Sequence, residues 1–571
     1  MMAKQLDKVD VVTVGMGWTG GIIAAECAKA GLKVKGLERG RDRGTSDYQV
    51  IHDELRYAIR YELMQDLSKE TITFRNDRKM RALPMRQMGS FLLGEGLGGA
   101  GTHWNGMTYR FLPYDFQIKT ETEKKYGKNK LSSDYLLKDW GITYDELEPY
   151  FDTFEKTIGL SGEDKNPFAG KRSSDYPTPP MKKTPILKMF EKAVSNLGYH
   201  PFMVPSANLS ETYKNPDGEQ LNACQYCGFC ERFGCEYGAK SSPETTVIPT
   251  ALKTGNLDIQ FHANAVEIMK NGNKVTGVKY IDTQTREEFI QPADVVVLTS
   301  YVLNNAKLLM VSDIGEMYDP DTGKGTLGKN YCYQIEPGTS GFFKDKMNVF
   351  MGAGALGMTI DDFNGDNFDH ANLDFIHGAS ISLTQSGNRP ILTNPIAPDV
   401  PVWGEAFKKA SIEGYPRNLF VFGQGASMPH KENFMSLDPV YKDAYGVPLL
   451  QLTYNFTQQD INLHQYIGDR TEEIMKEMGA ETVVAGSPIT DYDIVPYQST
   501  HNTGGTIMGD DPADSVVNPY LQHWDADNLF AVSAGSFSHN SGYNPTGTLG
   551  ALAYRCAEGI IKYSKQGGSL V

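Results

Sequence analysis

Features that mark several classes of protein are scarce or missing in this sequence of 571 residues. No apolar run approaches the ~20 residues that a membrane-spanning helix needs, so any membrane association is expected only through a partner. Lysine and arginine number 55 against 70 aspartates and glutamates, and the net charge of −15 argues against a nucleic-acid partner. Residues 1–10 lack the apolar centre of a signal peptide and a twin-arginine pair, so we expect no export signal on the chain itself.

Cysteine is also scarce, but four of the seven cysteines fall within twelve residues: Cys224, Cys227, Cys230 and Cys235. This spacing is too tight for ordinary disulfide pairing and is typical of thiolate ligation of a metal. Zinc is one interpretation, although structural zinc sites usually have separated Cys-x-x-Cys pairs. Three close cysteines followed by a fourth fit iron–sulfur ligation better. The remaining cysteines are scattered and are expected to be buried small apolar side chains: Cys27, Cys332 and Cys556.

Glycine, in contrast, is plentiful, with 58 residues, and the first glycine cluster begins near residue 15. The pattern predicts a buried strand over 9–15, a helix over 22–31, a second strand over 33–37 and then an acidic residue. This order is the dinucleotide-binding fingerprint, in which the glycines allow a tight turn, approach of amides to a pyrophosphate, and close helix–strand packing. The acidic residue is expected to bind an adenosine ribose, and the fingerprint is compatible with NAD or FAD. The predicted cofactor contacts here are Gly15, Gly17, Gly20, Glu38 and Arg39.

A second glycine-rich segment, residues 94–106, holds six glycines in thirteen residues. Such a backbone suits a loop pressed against a large flat ligand rather than a helix or strand. Together with residues 141–151 and 294–298, the segment resembles the glucose–methanol–choline (GMC) oxidoreductases, and the resemblance covers nearly the whole chain. Members of that family are flavoproteins, so the resemblance implies FAD. The further cofactor contacts that it implies are Gly98, Gly99, Thr102, His103, Asn105, Gly106, Val266, Gly535, Pro545 and Thr546.

The histidine of this segment lies in a Thr102-His103-Trp104 context. In some relatives, such as pyranose oxidases, a histidine in this context is linked covalently to the flavin methyl carbon. The alternative is a loop histidine that only hydrogen-bonds to the backbone. We favour the covalent link, because few structural needs explain a histidine among so many glycines.

The closing motifs of the family are matched by residues 499–509 (STHNTGGTIMG) and 538–549 (SHNSGYNPTGTL). On this resemblance His501 and Asn544 are the catalytic pair. An imidazole can accept the hydroxyl proton of an alcohol near neutral pH while a hydride leaves carbon. Asn544 cannot titrate but can orient the substrate oxygen. His539 is the rival for the second position and is expected to have a supporting or structural role.

The cysteine run and its flanks, residues 225–240, resemble one branch of the family: the catalytic subunits of gluconate, sorbitol, fructose and glucose dehydrogenases. The resemblance implies a 3Fe–4S cluster, with 4Fe–4S as the alternative. Three thiolates suffice for the former, and the resemblance then implies Cys227, Cys230 and Cys235 as ligands, with Cys224 left free. It also implies oxidation of a sugar, sugar acid or polyol, with D-gluconate to its 2-keto form as the first candidate. Electrons then pass from flavin to cluster to a cytochrome c subunit.

The branch further implies a small export partner, and hence a location in the periplasm or on the outer face of the cytoplasmic membrane, with the cytoplasm as the alternative. Two rival functions remain open at this point. One is a pyranose-type oxidase that returns electrons to oxygen, although an oxidase has no use for a one-electron relay. The other is a flavin-bearing subunit for assembly or electron relay that has no substrate of its own.

The predicted fold class is α/β. A Rossmann-like FAD-binding domain is expected from residues 1–180, 245–335 and 496–571, and a cysteine-containing segment from 181–244. Residues 336–495 are expected to form a substrate domain on an antiparallel sheet flanked by helices. Within it the pattern predicts a strand over 449–455 and an amphipathic helix over 459–478, and residues 433–439 resemble a family turn.

Overall fold

The computed structural model describes residues 3–49, 52–86, 93–391, 393, 395–495 and 500–571. Ser499, the first residue of the motif at 499–509, and the predicted domain boundary at 496 lie outside these residues. The α-helices of the described part are Trp18–Lys29, Ala100–His103, Pro113–Phe116, Ile118–Tyr126, Tyr144–Ile158, Pro185–Asn196, Val247–Lys253, Val302–Val311, Gly404–Gly414, Gln458–Glu477 and Thr546–Gln566. None of them is both long enough and apolar enough to cross a membrane.

The first sheet has a parallel half and an antiparallel half that share one long strand, Glu288–Leu298. The first part of this strand pairs antiparallel with its neighbour, and residues 293–298 run parallel to the fingerprint strand. Buried valines on both sides of the parallel half explain its position in the centre of the core. The strands are Lys4–Gln5, Val9–Val14, Val34–Leu37, Leu257–Gln260, Ala263–Asn271, Lys274–Asp282, Glu288–Leu298 and Leu529–Ala531.

The second sheet has six strands and is antiparallel throughout. Helices Pro185–Asn196 and Gln458–Glu477 pack on it and close a separate apolar core. In spatial order its strands are Thr482–Ala485, Gly338–Phe342, Asn418–Gly425, Ala379–Ser386, Gly352–Ile360 and Phe202–Met203.

A third sheet joins distant parts of the chain, because Pro448–Thr453 runs parallel to Ile72–Arg75. Its buried leucines belong to the core of the first sheet. The strands of this sheet are Phe434–Lys442, Pro448–Thr453, Ile72–Arg75 and Leu83–Pro84. Two small pairs complete the described strands: Cys332–Tyr333 with Asn502–Thr503, and Tyr213–Lys214 with Gln220–Leu221.

The fold class predicted from the sequence is confirmed, as are the strand near residue 450 and the helix near residue 460. The turn expected over 433–439 is wrong, because these residues form most of strand Phe434–Lys442. Alternating apolar residues pair with a neighbouring strand there, and the resemblance to a turn did not reflect that pairing. The division of the chain at residues 180, 245, 335 and 496 stays a prediction. Within the segment 181–244, Pro185–Asn196 and Phe202–Met203 pack with the second sheet.

Candidate active site

A cavity of about 530 Å³ opens where the loops of the first sheet meet the second sheet. One wall comes from the fingerprint loop, the glycine-rich segment and the loops that carry His501 and Asn544. The facing wall comes from strands of the second sheet and includes Thr384, Phe422 and Gln424. Its size and its mixture of backbone and aromatic lining suit a large, flat, partly polar ligand.

The fingerprint loop places the N-terminus of helix Trp18–Lys29 on the cavity wall. Gly17 caps this helix, and a Cβ added there would meet only the Gly98 carbonyl oxygen, at 3.8 Å, so the backbone faces open space. Gly15 has φ +99°, which a side chain would strain. Gly20 does not line the cavity: a Cβ there would lie 2.0 Å from the Gly15 carbonyl oxygen, so this glycine permits close packing. The free N–H groups at this helix end form an anion site that fits a pyrophosphate.

Glu38 is buried at the cavity wall at the end of strand Val34–Leu37. Its carboxylate accepts the backbone N–H of Met16 at 3.1 Å, of Gly40 at 2.9 Å and of Gly96 at 3.1 Å. The carboxylate therefore ties the two glycine-rich motifs together, in addition to the ribose contact predicted from the sequence. Carboxylate oxygens retain further lone pairs after these bonds, so Glu38 can still accept a hydrogen bond from a ribose hydroxyl.

Arg39 also lines the cavity, but its guanidinium is already engaged. It pairs with Glu70, whose other oxygen accepts from Lys307 Nζ at 2.6 Å. Lys307 Nζ lies 2.9 Å from Asp443 as well. All four side chains are at most 18% exposed, so they form a buried, charge-balanced network at this end of the cavity.

The second glycine-rich motif forms a tight turn and the short helix Ala100–His103. Among its predicted contacts, Gly99, His103 and Asn105 line the cavity, as do Val266, Pro545 and Thr546 from other segments. The others shape the backbone behind the wall, where added Cβ atoms at the glycines would be crowded: Gly98, Thr102, Gly106 and Gly535.

His103 is buried, and its Nε2 has no hydrogen-bond partner among the described residues. Burial, and then the nearby cations of Arg43 and Lys240, lower the pKa of His103 to about 3. The imidazole is therefore neutral at physiological pH, with one nitrogen uncommitted. A neutral ring nitrogen is the form that can bond covalently to a carbon electrophile.

The structure brings the predicted catalytic pair together, with His501 Nε2 lying 2.9 Å from Asn544 Nδ2. His501 is 10% exposed and has φ +57°, a backbone conformation that non-glycine residues rarely adopt. The Asn540 side-chain amide donates to the His501 carbonyl oxygen and holds this conformation. On the other side of the ring, Glu336 Oε1 lies 3.5 Å from Nδ1. Strained backbone that is fixed in this way is common at catalytic residues.

Several buried polar atoms on the cavity wall have no hydrogen-bond partner among the described residues. Buried polar groups are normally satisfied, so a set of orphaned atoms around one cavity indicates a polar ligand. The set extends from the fingerprint helix to the catalytic pair: Trp18 Nε1, His103 Nε2, Gln424 Oε1, Thr500 Oγ1, His501 Nδ1 and Asn544 Oδ1. Together with the Gly17 cradle, these atoms fit FAD and a hydroxylated substrate.

His539, the rival of Asn544, is fully buried away from this wall. Its Nε2 lies 3.1 Å from Asp115 Oδ1, which also lies 2.8 Å from His377 Nε2. The Nδ1 atoms of His539 and His377 accept N–H bonds from Trp140 and Gly378, so each ring donates to Asp115 through Nε2. A metal bound at the two Nε2 atoms would shift each ring proton to Nδ1, where it would clash with the N–H of Trp140 or Gly378. The cluster is therefore a structural link between the catalytic loop and the second sheet.

We expect Asp115→Asn to destabilise the fold by about 3 kcal/mol, because it removes the charge that the two buried imidazoles share. The histidines hold the pKa of Asp115 well below its usual range despite burial. This stabilisation is present above the ordinary aspartate pKa and is lost as the pH falls through the depressed value. The thermal midpoint at pH 7 should fall by several degrees, and the difference from wild type should narrow in acid. Exposed Asp345→Asn is the control, and equal midpoints for both variants would contradict the prediction.

The end of the cysteine run, residues 230–240, lies directly against the glycine-rich motif. The backbone N–H of Arg232 donates to the His103 carbonyl oxygen at 2.7 Å. Lys240 is buried beneath, and its Nζ donates to the carbonyl oxygens of Trp104 at 2.8 Å, Cys230 at 2.7 Å and Phe233 at 2.9 Å. A metal held by the cysteines would therefore be next to a flavin held by residues 94–106.

The spacing of the cysteine sulfurs in the described residues argues against a compact tetrahedral zinc site. In the described residues no three cysteine sulfurs lie within 4.8 Å of one another, whereas tetrahedral zinc with Zn–S bonds of about 2.3 Å needs closer sulfurs. A multi-iron cluster has its own iron and sulfide atoms between the ligands and suits wider spacing. Burial raises the pKa of the Cys224 thiol to about 12 and of the Cys230 thiol to about 11, and the other cysteines add to both shifts. All four donors are cysteine sulfurs, the ligand type of an iron–sulfur cluster, and cationic iron, if bound, would stabilise their thiolate forms.

Sequence reasoning missed two residues of this site. Lys240 stands at the end of the motif that contains the cysteines, so a signal for it existed. Glu336 lies in no motif, and only the fold brings it to His501. The scattered cysteines are buried, as expected: Cys27, Cys332 and Cys556.

Comparison with known proteins places this geometry in a family. Two family models, both described as GMC oxidoreductase, match residues 137–336 and 429–553, which together are more than half of the chain. The chain is 39% identical to a gluconate 2-dehydrogenase flavoprotein of Pantoea cypripedii over 593 residues, covering 100% of this chain and 96% of that protein.

The chain is also 25% identical to a fructose dehydrogenase large subunit of Gluconobacter japonicus, covering 99% of this chain and 100% of that protein. Among solved structures, pyridoxine 4-oxidase from Mesorbium loti matches with a TM-score of 0.61 at 16% identity. That match covers 96% of this chain and 99% of that one, and it supports the fold alone.

Proposed function

The chain belongs to the FAD-dependent GMC oxidoreductase family, and from this premise we propose that it is a dehydrogenase for a secondary alcohol of a sugar, sugar acid or polyol. The observation that carries the proposal is the pair of His501 and Asn544, whose side chains meet at 2.9 Å on the wall of the FAD cavity. D-gluconate, oxidised at carbon 2, is the first substrate to assay, because it gives its name to the 39% identical relative.

Each residue of the pair has a defined part in the reaction. His501 Nε2 accepts the substrate hydroxyl proton, since this nitrogen lies 2.9 Å from Asn544 Nδ2 and both residues line the cavity. The Asn544 amide orients the substrate oxygen, and its free Oδ1 can accept a second hydroxyl. FAD, when bound, supplies the acceptor for the hydride that leaves carbon. Asn544 is buried and the His501 side chain is only 10% exposed, which limits the access of bulk water to this step.

Electrons are proposed to leave through an iron–sulfur cluster on the cysteine run, with 3Fe–4S favoured and 4Fe–4S as the alternative. Contact of Arg232 and Lys240 with the glycine-rich motif supports this route, because it places the ligands beside the flavin loop. A relative named as a large subunit supports a partner subunit. We propose a cytochrome c acceptor and a small export subunit, with the enzyme in the periplasm or on the outer face of the cytoplasmic membrane.

The anaerobic visible spectrum of the purified protein, before and after D-gluconate or a panel of sugars and polyols, tests the proposal. We expect the flavin band to bleach above a broad iron–sulfur background. If the flavin bleached without an iron–sulfur background, the proposed electron route would be contradicted. The proposed dehydrogenase reaction would still stand. Flavin that stays oxidised with every member of the panel would contradict the proposed reaction.

His103 is proposed to carry the flavin covalently, because its neutral, unpartnered Nε2 lies at the cavity. Acid precipitation of the wild-type protein should leave the yellow colour in the pellet, and intact mass should include one FAD. His103→Ala should release the flavin into the supernatant. His262→Ala, at a half-buried turn residue that does not line the cavity, is the control. If acid released flavin from the wild-type protein, the covalent link would be contradicted. His103 would then contribute only packing and hydrogen bonding.

A further inference from the structure

The cavity wall around His501 is negatively charged. Glu336 Oε1 lies 3.5 Å from His501 Nδ1, and 45% of the Glu336 side chain is exposed. Glu231, from the cysteine run, lines the same cavity, but its Oε1 is paired with Arg232 Nε at 3.8 Å. A substrate that reaches His501 therefore meets the Glu336 carboxylate.

No free cation offsets this charge on the described part of the wall. The lysine and arginine side chains that line the cavity there are Arg39 and Lys307, and both are held in ion pairs with Glu70. The residues outside the described part cannot supply one either, because their sequence contains no lysine or arginine: residues 1–2, 50–51, 87–92, 392, 394 and 496–499.

This distribution bears on the substrate, because oxidation at carbon 2 of a sugar acid places the carboxylate on the neighbouring carbon. That group would lose its hydration close to Glu336 without gaining a cationic partner, which is unfavourable by both desolvation and repulsion. Uncharged hydroxyl groups can instead donate hydrogen bonds to the cavity wall. Acceptor oxygens there have no partner among the described residues: Gln424 Oε1, Thr500 Oγ1 and Asn544 Oδ1.

We propose that the site selects an uncharged sugar or polyol over a sugar acid, and that Glu336 is the residue that determines this specificity. The inference rests on the proposed alcohol dehydrogenase function and narrows its substrate class. Glu336 acts on the substrate through space and leaves proton removal to His501. The preference is electrostatic, so it weakens at high ionic strength.

The test uses pairs that differ in one group, D-gluconate against D-sorbitol and D-xylonate against xylitol, with anaerobic flavin reduction as the assay. We expect the wild-type kcat/KM to favour the polyol by about tenfold or more. Glu336→Gln should reduce this ratio about tenfold, while Glu336→Asp, which keeps the charge, should retain it. Glu405→Gln, at an exposed helix position, is the matched control.

The possible outcomes distinguish failure of this inference from failure of the proposed dehydrogenase function. A wild-type enzyme that prefers the sugar acid, or a Glu336→Gln variant with an unchanged ratio, overturns the inference and leaves the dehydrogenase intact. Flavin that no member of any pair reduces overturns the proposed function and the inference with it. Flavin content and the thermal midpoint of each variant show whether a changed ratio comes from a folded site.

Discussion

His501→Ala is expected to lower the rate of flavin reduction by substrate about a thousandfold while the variant keeps its FAD. A positioned general base contributes typically about 10²–10⁴-fold, so loss of the imidazole should slow the reaction by a factor in this range. His539, the other histidine of the closing motifs, is fully buried and donates to Asp115. The measurement is anaerobic stopped-flow at 450 nm, with the FAD spectrum recorded for each preparation.

The matched control for this experiment is His200→Ala, at a surface histidine that is 57% exposed and pairs with Asp362. Its rate should equal that of the wild type. If His501→Ala retained more than about a tenth of the wild-type rate, the proton would have to leave by another route. An unchanged rate for every alcohol would favour a subunit for relay or assembly that has no substrate of its own.

Cys230→Ser should remove the iron–sulfur cluster, so that iron content and cytochrome c reduction fall to background. Cys230 is buried, and its backbone is fixed by Lys240, so the chain cannot easily supply another ligand in its place. Flavin reduction by substrate should persist, because His501 and Asn544 are untouched. Iron and acid-labile sulfide assays, together with electron paramagnetic resonance of the oxidised protein, measure the cluster directly.

Two further cysteine variants make this test discriminating. Cys556→Ala, at a buried cysteine outside the run, should keep the full iron content. Cys224→Ser should keep most of it if the cluster has three ligands, and lose it if the cluster has four. Zinc in place of iron in protein purified without oxygen, or iron that survives Cys230→Ser, would contradict the proposed electron route.

Local patterns in the sequence predicted the parts of the fold that depend on neighbouring residues. The order of strand, glycines, helix and strand around Gly15 is present because φ > 0 and close packing select glycine at fixed spacing. Helix Gln458–Glu477 likewise follows from its apolar periodicity. The pair of His501 and Asn544 was found through a family motif, since nothing local brings residues 43 positions apart into contact.

Local sequence patterns could not predict which strands pair across long stretches of the chain. Phe202–Met203 joins the second sheet, and Ile72–Arg75 pairs with Pro448–Thr453, although hundreds of residues separate the latter strands. Such contacts depend on which apolar faces meet in the core, and a period along one segment does not specify its partner. The same limit hid Glu336, whose importance comes only from its distance to His501.

The long strand Glu288–Leu298 also has a consequence for biosynthesis. Its parallel partner Leu529–Ala531 is translated about 230 residues later, and the loops that carry His501 and Asn544 also belong to that late region. At roughly 5–20 residues per second, the ribosome leaves one edge of that strand unpaired for some ten seconds or longer. The cavity for FAD cannot close during this interval. We therefore expect flavin to be inserted after translation, and the unpaired strand edge to be open to aggregation until then.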